Sequence, residues 1–280
     1  MPHHSGKVID ASACWLAVHA VSVSSRRMPL LALEPTLTDP TPLLWATLPV
    51  GAYLVGSFPT AHLLARSRGV DLGTVGSKNY GATNLGRTLG KPWGFTCFII
   101  DAVKGALPTL AAGWLLGTLG APAGGVSALS AWCWIAAVAA VILGHTLSPW
   151  IGFKGGKGVA TGFGALAALW PVLTLPAIFA LVIWVVLVLI FRMVSLASMV
   201  AAVAVPCAVL VAAVSNHGLQ GARDAVPFLA ASSLIGAFVV FKHRSNIERI
   251  RAGTENKVLQ RTPKTTTPPD EAAKPNRVSP

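Results

Sequence analysis

Apolar runs of about 20 residues, the length that carries a helix across ~30 Å of hydrocarbon, recur from end to end of this sequence. In hydrocarbon only helices and closed barrels satisfy every backbone polar group, and the strict alternation of barrel strands is absent here. The chain therefore reads as an all-α, polytopic membrane protein. Seven spans are expected, at 43–65, 93–119, 128–147, 159–169, 172–191, 194–214 and 226–241. The fourth is the short one: residues 159–191 as one helix would run about 50 Å, too long for one pass, and Pro171 and Pro176 offer the break. Composition excludes a soluble alternative, since 53% of the 280 residues are hydrophobic and 11% are charged, against about a quarter charged in soluble domains.

The placement of Lys and Arg orients the spans. The net charge of +12 resides in four segments, 66–92, 148–158, Arg192 and the tail from Lys242, which carry +4, +2, +1 and +5. With seven spans all four fall on one side, so that side is cytoplasmic, the N-terminus is outside and the C-terminus inside. This explains the basicity without nucleic acid. Cys14, Cys97, Cys133 and Cys207 stand far apart and imply neither disulfides nor a metal site. His62, His145 and His217 are scattered, and no metal or cofactor is called for.

Three regions divide the chain. Residues 1–42 form an N-terminal extension whose apolar stretch, Ala11 to Val23, is too short to span; it reads as dispensable, with Met28 as an alternative start. Residues 43–257 form the seven-helix domain. Residues 258–280 are polar and proline-rich, the composition of a disordered tail.

Polar chemistry concentrates in three motifs on the basic side. The first, GSKNYGATNLGR, spans Gly76 to Arg87. Its glycines let backbone N–H groups approach a phosphate, its Ser, Thr and Asn side chains can cradle oxygens, and Arg87 adds a forked cation. The bland alternative is a polar turn between helices. The second, GHTLSPWIGFKGGKGVAT, runs from Gly144 to Thr161. A glycine-rich loop opening a helix is a natural anion site, here with Lys157 as point charge, although it lacks Walker A spacing. The third, FKHRSNIERIRAGTEN, from Phe241 to Asn256, reads as an amphipathic helix ending at Gly253, with His243 and Asn246 on one face. Taken alone, its basic residues would anchor lipid headgroups. Asp101 and Lys104, three apart inside the second span, read as a structural ion pair.

Together the motifs resemble the acyl-phosphate glycerol-3-phosphate acyltransferase family (PlsY) of bacterial inner membranes, over about Leu43 to Lys257. The resemblance implies seven membrane helices and an active site at the cytoplasmic face. It implies that an acyl group passes from acyl phosphate to the sn-1 hydroxyl of glycerol-3-phosphate, giving lysophosphatidate and phosphate, the first step of phospholipid synthesis. It assigns catalytic roles to Ser77, Arg87, His243 and Asn246. Substrate binding is expected from Gly76, Asn79, Gly81, Thr83 and Asn84 in the first motif, and from Gly155, Gly156, Lys157 and Gly158 in the second. Ser198 joins them as a substrate-binding residue, and Glu255 is the family's closing acid, a structural role. Partners are the two substrates and membrane lipids; oligomeric state stays open. Lys78 stands where the family often has glycine, a charge expected to tighten anion binding.

Two other readings compete. An organic phosphate transporter would place its polar groups near the bilayer midplane between broken helices, whereas here they gather at one face. A scaffold in a lipid-synthesis complex would tolerate loss of the motif residues. No histidine is followed by aspartate at His-x-x-x-x-Asp spacing, the pattern of carrier- and CoA-dependent acyltransferases, which favours acyl phosphate as donor.

Overall fold

A computed structural model describes residues 39–258. The expectations for residues 1–38 and 259–280 lie outside the described residues. Ten α-helices follow one another among the described residues: α1 Pro42–Gly56, α2 Thr60–Arg66, α3 Ala82–Leu89, α4 Lys91–Leu115, α5 Ala128–Thr146, α6 Val159–Ala167, α7 Thr174–Phe191, α8 Val194–Asp224, α9 Val226–Lys242 and α10 Arg244–Arg251. Single 3₁₀ turns occur at Ala123–Gly125 and Pro149–Ile151.

Five stretches are long and apolar enough to cross a membrane: α1 with α2, α4, α5, α7 and α8. A sixth appears when α9 and α10, bent by 57°, are counted together. Helix α6 has nine residues, roughly 14 Å, and does not meet that length. The first expected span is broken after Gly56, because Pro59 supplies no N–H and pushes Phe58 out of the helical region. Helix α8 runs past its expected end at Val214, and its backbone leaves helical geometry at His217 and Gly218.

Which side chains face outward decides what solvent surrounds the bundle. Helix α7 exposes Leu175, Phe179, Val182, Val186, Leu189 and Ile190. In water so much apolar area would cost about 25 cal/mol per Å², whereas hydrocarbon tails receive it freely. Between such helices no hydrophobic force remains, and close packing over small residues takes over. Helices α1 and α5 touch through Gly56, whose missing Cβ leaves room for the Val141 carbonyl, and Gly144, which admits the Tyr53 carbonyl. Helices α4 and α6 repeat the device, with Gly105 against Thr161 and Gly164 against Ala102. Trp134 is fully buried against Gly113 and donates its Nε1–H to the Thr109 carbonyl at 2.7 Å.

The bundle has two distinct ends. At one, Gly120 N–H bonds the Trp170 carbonyl, and Ser127 bonds Asp39. At the other, Arg87 reaches Asn256, Ser195 reaches Glu255, and Val258 N–H bonds the Arg192 carbonyl. The three sequence motifs meet at that second end.

Candidate active site

The first motif is shaped from within by one buried amide. Asn84 Oδ1 accepts from Ser77 N–H at 3.0 Å, and its Nδ2 donates to the carbonyls of Val75 and Asn79 at 3.2 and 3.1 Å. These bonds wrap the loop around Asn84, whose oxygen lies where a Cβ on Gly76 would sit. Gly76 takes φ +58, which glycine adopts without penalty. Lys78 takes φ +55, a left-handed conformation that explains why glycine suits this position. Its side chain is exposed and outside the cavity described below, so the structure gives no support to its expected part in anion binding.

The second motif leaves α5 at His145 and turns back under the first. A Cβ on Gly155 would strike the His145 carbonyl, and one on Gly156 the His145 ring. Gly158, at φ +78, opens α6. The loop thus delivers Lys157 half-buried, its Nζ donating to Asn246 Oδ1 in the third motif.

In the third motif the bend between α9 and α10 falls at His243. Its Nδ1 lies 2.7 Å from the Val239 carbonyl; a carbonyl only accepts, so the proton sits on Nδ1 and Nε2 carries the lone pair. Asn246 Nδ2 donates to Glu255 Oε1 at 2.7 Å, Ser195 Oγ donates to the same oxygen at 2.7 Å, and Arg249 Nε donates to Oε2 at 2.8 Å. Gly253, at φ +69, turns the chain so that Glu255 returns to receive them. Lys157, Asn246 and Glu255 form one continuous chain of bonds, with Arg87 tied to it through the Asn256 carbonyl at 3.1 Å.

An open polar cavity of about 770 Å³ lies among the three motifs. Of the expected site residues it is lined by Ser77, Asn79, Gly81, Thr83, Asn84, Arg87, Lys157, Gly158, Ser198, His243 and Asn246, and also by Asp101 and Glu255. Gly76, Gly155, Gly156 and Lys104 are not on its wall; the three glycines shape the loops behind it. The Asn84 amide is occupied by the loop's own backbone, so this residue builds the cradle from behind. Ser198 is likewise engaged, donating to Val194 O at 2.8 Å and accepting from Trp184 Nε1 at 3.0 Å. The sequence reading missed Ser195, Arg249, His145, Phe98 and Trp184, which also line the cavity. Arg249 stands three residues after Asn246, and Ser195 three before Ser198, so helical spacing from known members would have found both.

Electrostatics favour an anion. Burial, with Arg249 close by, lowers the Lys157 pKa to about 8, so the ammonium is held ready for a negative partner. Burial and the Lys157 charge lower His243 to about 4, which keeps its imidazole neutral. For Glu255 burial acts upward, but the bonds from Ser195, Asn246 and Arg249 outweigh it and hold the carboxylate ionised, below its usual range.

A second, apolar cavity of about 630 Å³ adjoins the first, and Phe98, Gly158, Val159, Trp184 and Ser198 line both. It runs inward among α6, α7, α8 and α9 to Leu166, Ala177 and Val205. A cationic pocket beside an apolar groove suits a substrate with an anionic head and a hydrocarbon chain.

The sequence profile described as glycerol-3-phosphate acyltransferase matches residues 46–253. The chain belongs to that family. Relatives named glycerol-3-phosphate acyltransferase include one from Geotalea daltonii, 44% identical over 74% of this chain and 94% of its own length. Another, from Geobacter sulfurreducens, is 41% identical over 74% of this chain and 93% of its own. The bundle is similar to a crystal structure of PlsY, an integral membrane glycerol 3-phosphate acyltransferase, in its glycerol 3-phosphate form. The TM-score is 0.63 and the identity 35%, over 75% of this chain and 93% of that one. The lysophosphatidic acid form of the same protein matches with TM-score 0.61. As a member of this membrane acyltransferase family the chain is an enzyme, and the outward apolar faces of its helices are those of a membrane protein.

Proposed function

We propose that this enzyme transfers an acyl group from acyl phosphate to the sn-1 hydroxyl of glycerol-3-phosphate, releasing lysophosphatidate and inorganic phosphate. The observation that carries the reading is a cationic cavity that shares walls with an apolar groove, in a chain whose family is that of glycerol-3-phosphate acyltransferases. Arg87 and Lys157 hold phosphate groups, and the acyl chain lies in the groove between α6 and α9. The donor is a mixed anhydride, already activated, so the protein needs chiefly to position two anions and stabilise the developing oxyanion. Ser77 and the N–H groups of its loop serve that oxyanion.

The glycerol oxygen attacks the acyl carbon, the bond from that carbon to the phosphate oxygen breaks, and the hydroxyl proton leaves. His243 Nε2 is oriented to accept a hydrogen bond from that hydroxyl, but with its pKa lowered to about 4 it is a weak base. A phosphate monoester, with a second pKa of about 6, is the better final acceptor. His243 and Asn246 therefore orient the hydroxyl, and the proton passes to a phosphate oxygen. Direct transfer follows, with no acyl-serine.

The membrane arrangement is part of the proposal. Helix α6 counts as a seventh crossing, because Gly158 lies at the cavity end and the Trp170 carbonyl bonds Gly120 at the other. The basic segments then share the cytoplasmic side of the inner membrane, with the N-terminus outside. The test is an assay of the purified protein with acyl phosphate and glycerol-3-phosphate, joined to intact-mass analysis after incubation with acyl phosphate alone. Lysophosphatidate with no adduct is expected. An acyl group on Ser77, formed and discharged at the catalytic rate, would overturn direct transfer, and no turnover with acyl phosphate would remove the assigned donor.

A further inference from the structure

Behind the glycine loop stands a buried polar array that the mechanism above does not use. Lys104 Nζ donates to the Phe58 carbonyl at 2.8 Å and to Thr60 Oγ1 at 3.5 Å, in the break between α1 and α2. The same ammonium lies 2.7 Å from Asp101 Oδ1, and that oxygen lies 3.8 Å from His145 Nδ1. Cys97 Sγ donates to the other carboxylate oxygen at 3.5 Å. Asp101, Lys104 and His145 are 1, 7 and 8% exposed.

Such an array is a poor choice for stability alone. Removing two charges from water costs several kcal/mol per ion, and an apolar pair of similar volume often packs as well or better. Intramembrane ionisable groups are instead a mark of function. Two observations show where this one acts. Asp101 and His145 both reach the wall of the catalytic cavity. The His145 ring also fills the space where Gly156 would carry a side chain, and the Tyr80 carbonyl of the first motif borders that same space. The backbone that carries Lys157 thus rests against an imidazole and the first motif.

We propose that Asp101 and His145 are positioning residues for acyl transfer, the carboxylate facing the imidazole across 3.8 Å and biasing its orientation, and the imidazole fixing Gly156, so that Lys157 meets the glycerol-3-phosphate phosphate at its bonding distance. The inference rests on the reading of Lys157 as a phosphate-binding cation. Lys104 anchors the array to the broken end of α1, which couples the position of that break to the loop.

The experiment uses the full-length protein in lipid nanodiscs, with Asp101→Asn, His145→Ala and His145→Gln, and both double variants that pair Asp101→Asn with a His145 change. Asp101→Asn and His145→Ala are each expected to lower kcat/KM for glycerol-3-phosphate by ~10²-fold, the scale for a small misplacement of a binding group. KM for the acyl donor should change little, and the unfolding temperature should hold in the His145 variants and in Asp101→Asn combined with Lys104→Met. His145→Gln, which returns a polar atom to the place beside Gly156, should recover most of the loss. The double variant with His145→Ala should be no worse than the poorer single one, since both act through one element. Wild-type activity in the single variants, additive losses, or losses that track a fall in unfolding temperature would overturn the proposal. Where Asp101→Asn leaves too little folded protein, Asp101→Asn combined with Lys104→Met removes both charges together and is read by the same criteria. Lys157→Met separates the two readings. If its KM for glycerol-3-phosphate is unchanged, the role of Lys157 fails; if it rises while the Asp101 and His145 variants stay normal, only this inference fails.

Discussion

At the scale of single residues, the site works by holding charges in unusual states rather than by supplying a strong base. Lys157 is the clearest case. With its pKa lowered to about 8 by burial and neighbouring cations, the free enzyme loses the ammonium as pH rises through that value. The cation is present below pH 8 and absent above it, and kcat/KM reports ionisations of the free enzyme. We expect kcat/KM for glycerol-3-phosphate to fall on the alkaline side with an apparent pKa near 8. Lys157→Arg should move that limb upward, beyond the accessible range, because guanidinium does not titrate there. A flat profile to pH 10 in the wild type would show that Lys157 keeps its proton throughout. Lys78 illustrates a different situation, an exposed charge off the cavity wall. Its backbone is left-handed and its side chain lies off the cavity wall. Lys78→Gly should therefore raise the unfolding temperature slightly, by relieving about 1 kcal/mol of backbone strain, and leave KM for both substrates within about twofold.

At the scale of elements, the motifs were legible in the sequence because glycine, hydroxyl and amide residues are conspicuous against apolar helices, and their chemistry is local. Arg87 and Lys157 could be singled out one motif at a time, whereas the roles of His243 and Asn246 rested on the resemblance of the three motifs together to the family. What joined the four was not legible. The Glu255 carboxylate gathers Ser195, Asn246 and Arg249 only because Gly253 reverses the chain, a tertiary consequence that no spacing encodes. Asn84 shows the same limit in reverse: an amide in a phosphate-like motif reads as a ligand, yet its bonds all go to the loop that carries it. The apolar groove was also hidden, since its walls are ordinary core residues of four helices. Its inner end now carries a prediction. Ala177 is buried beside Leu166 and Val205, and Ala177→Phe would fill the deep part of the groove while leaving the polar cavity untouched. Turnover of long-chain acyl phosphates should fall by at least ~10-fold, equivalent to the loss of roughly two buried methylenes, and short-chain donors should be spared. Equal losses for every chain length would place the acyl chain elsewhere.

At the scale of the whole molecule, the open question is how nine residues of α6 can serve as a crossing. The element itself does not reach 30 Å, but it does not begin at the membrane surface. Gly158 starts α6 from the wall of a cavity that also includes Asp101, ten residues along α4 from its start at Lys91. Thr161 and Gly164 of α6 pack on Gly105 and Ala102, at the middle of α4, so α6 lies deep in the bundle from its first turns. On the proposed path the polypeptide from Gly158 to Trp170 makes the crossing, as a short helix and the turn that follows it. A count by helix length yields five or six crossings and the proposed path yields seven, and only seven puts residues 66–92, 148–158, Arg192 and the segment after Lys242 on one side. Reporter fusions distinguish them: fusions after Leu89, Gly156 and Gly253 should all report cytoplasm, and fusions near Ala121 and Gly218 the outside. If the Gly253 fusion reports outside while the Leu89 fusion stays inside, residues 159–191 cross only once. The third motif could not then share a cavity with the first, and the active site described above would be lost with it.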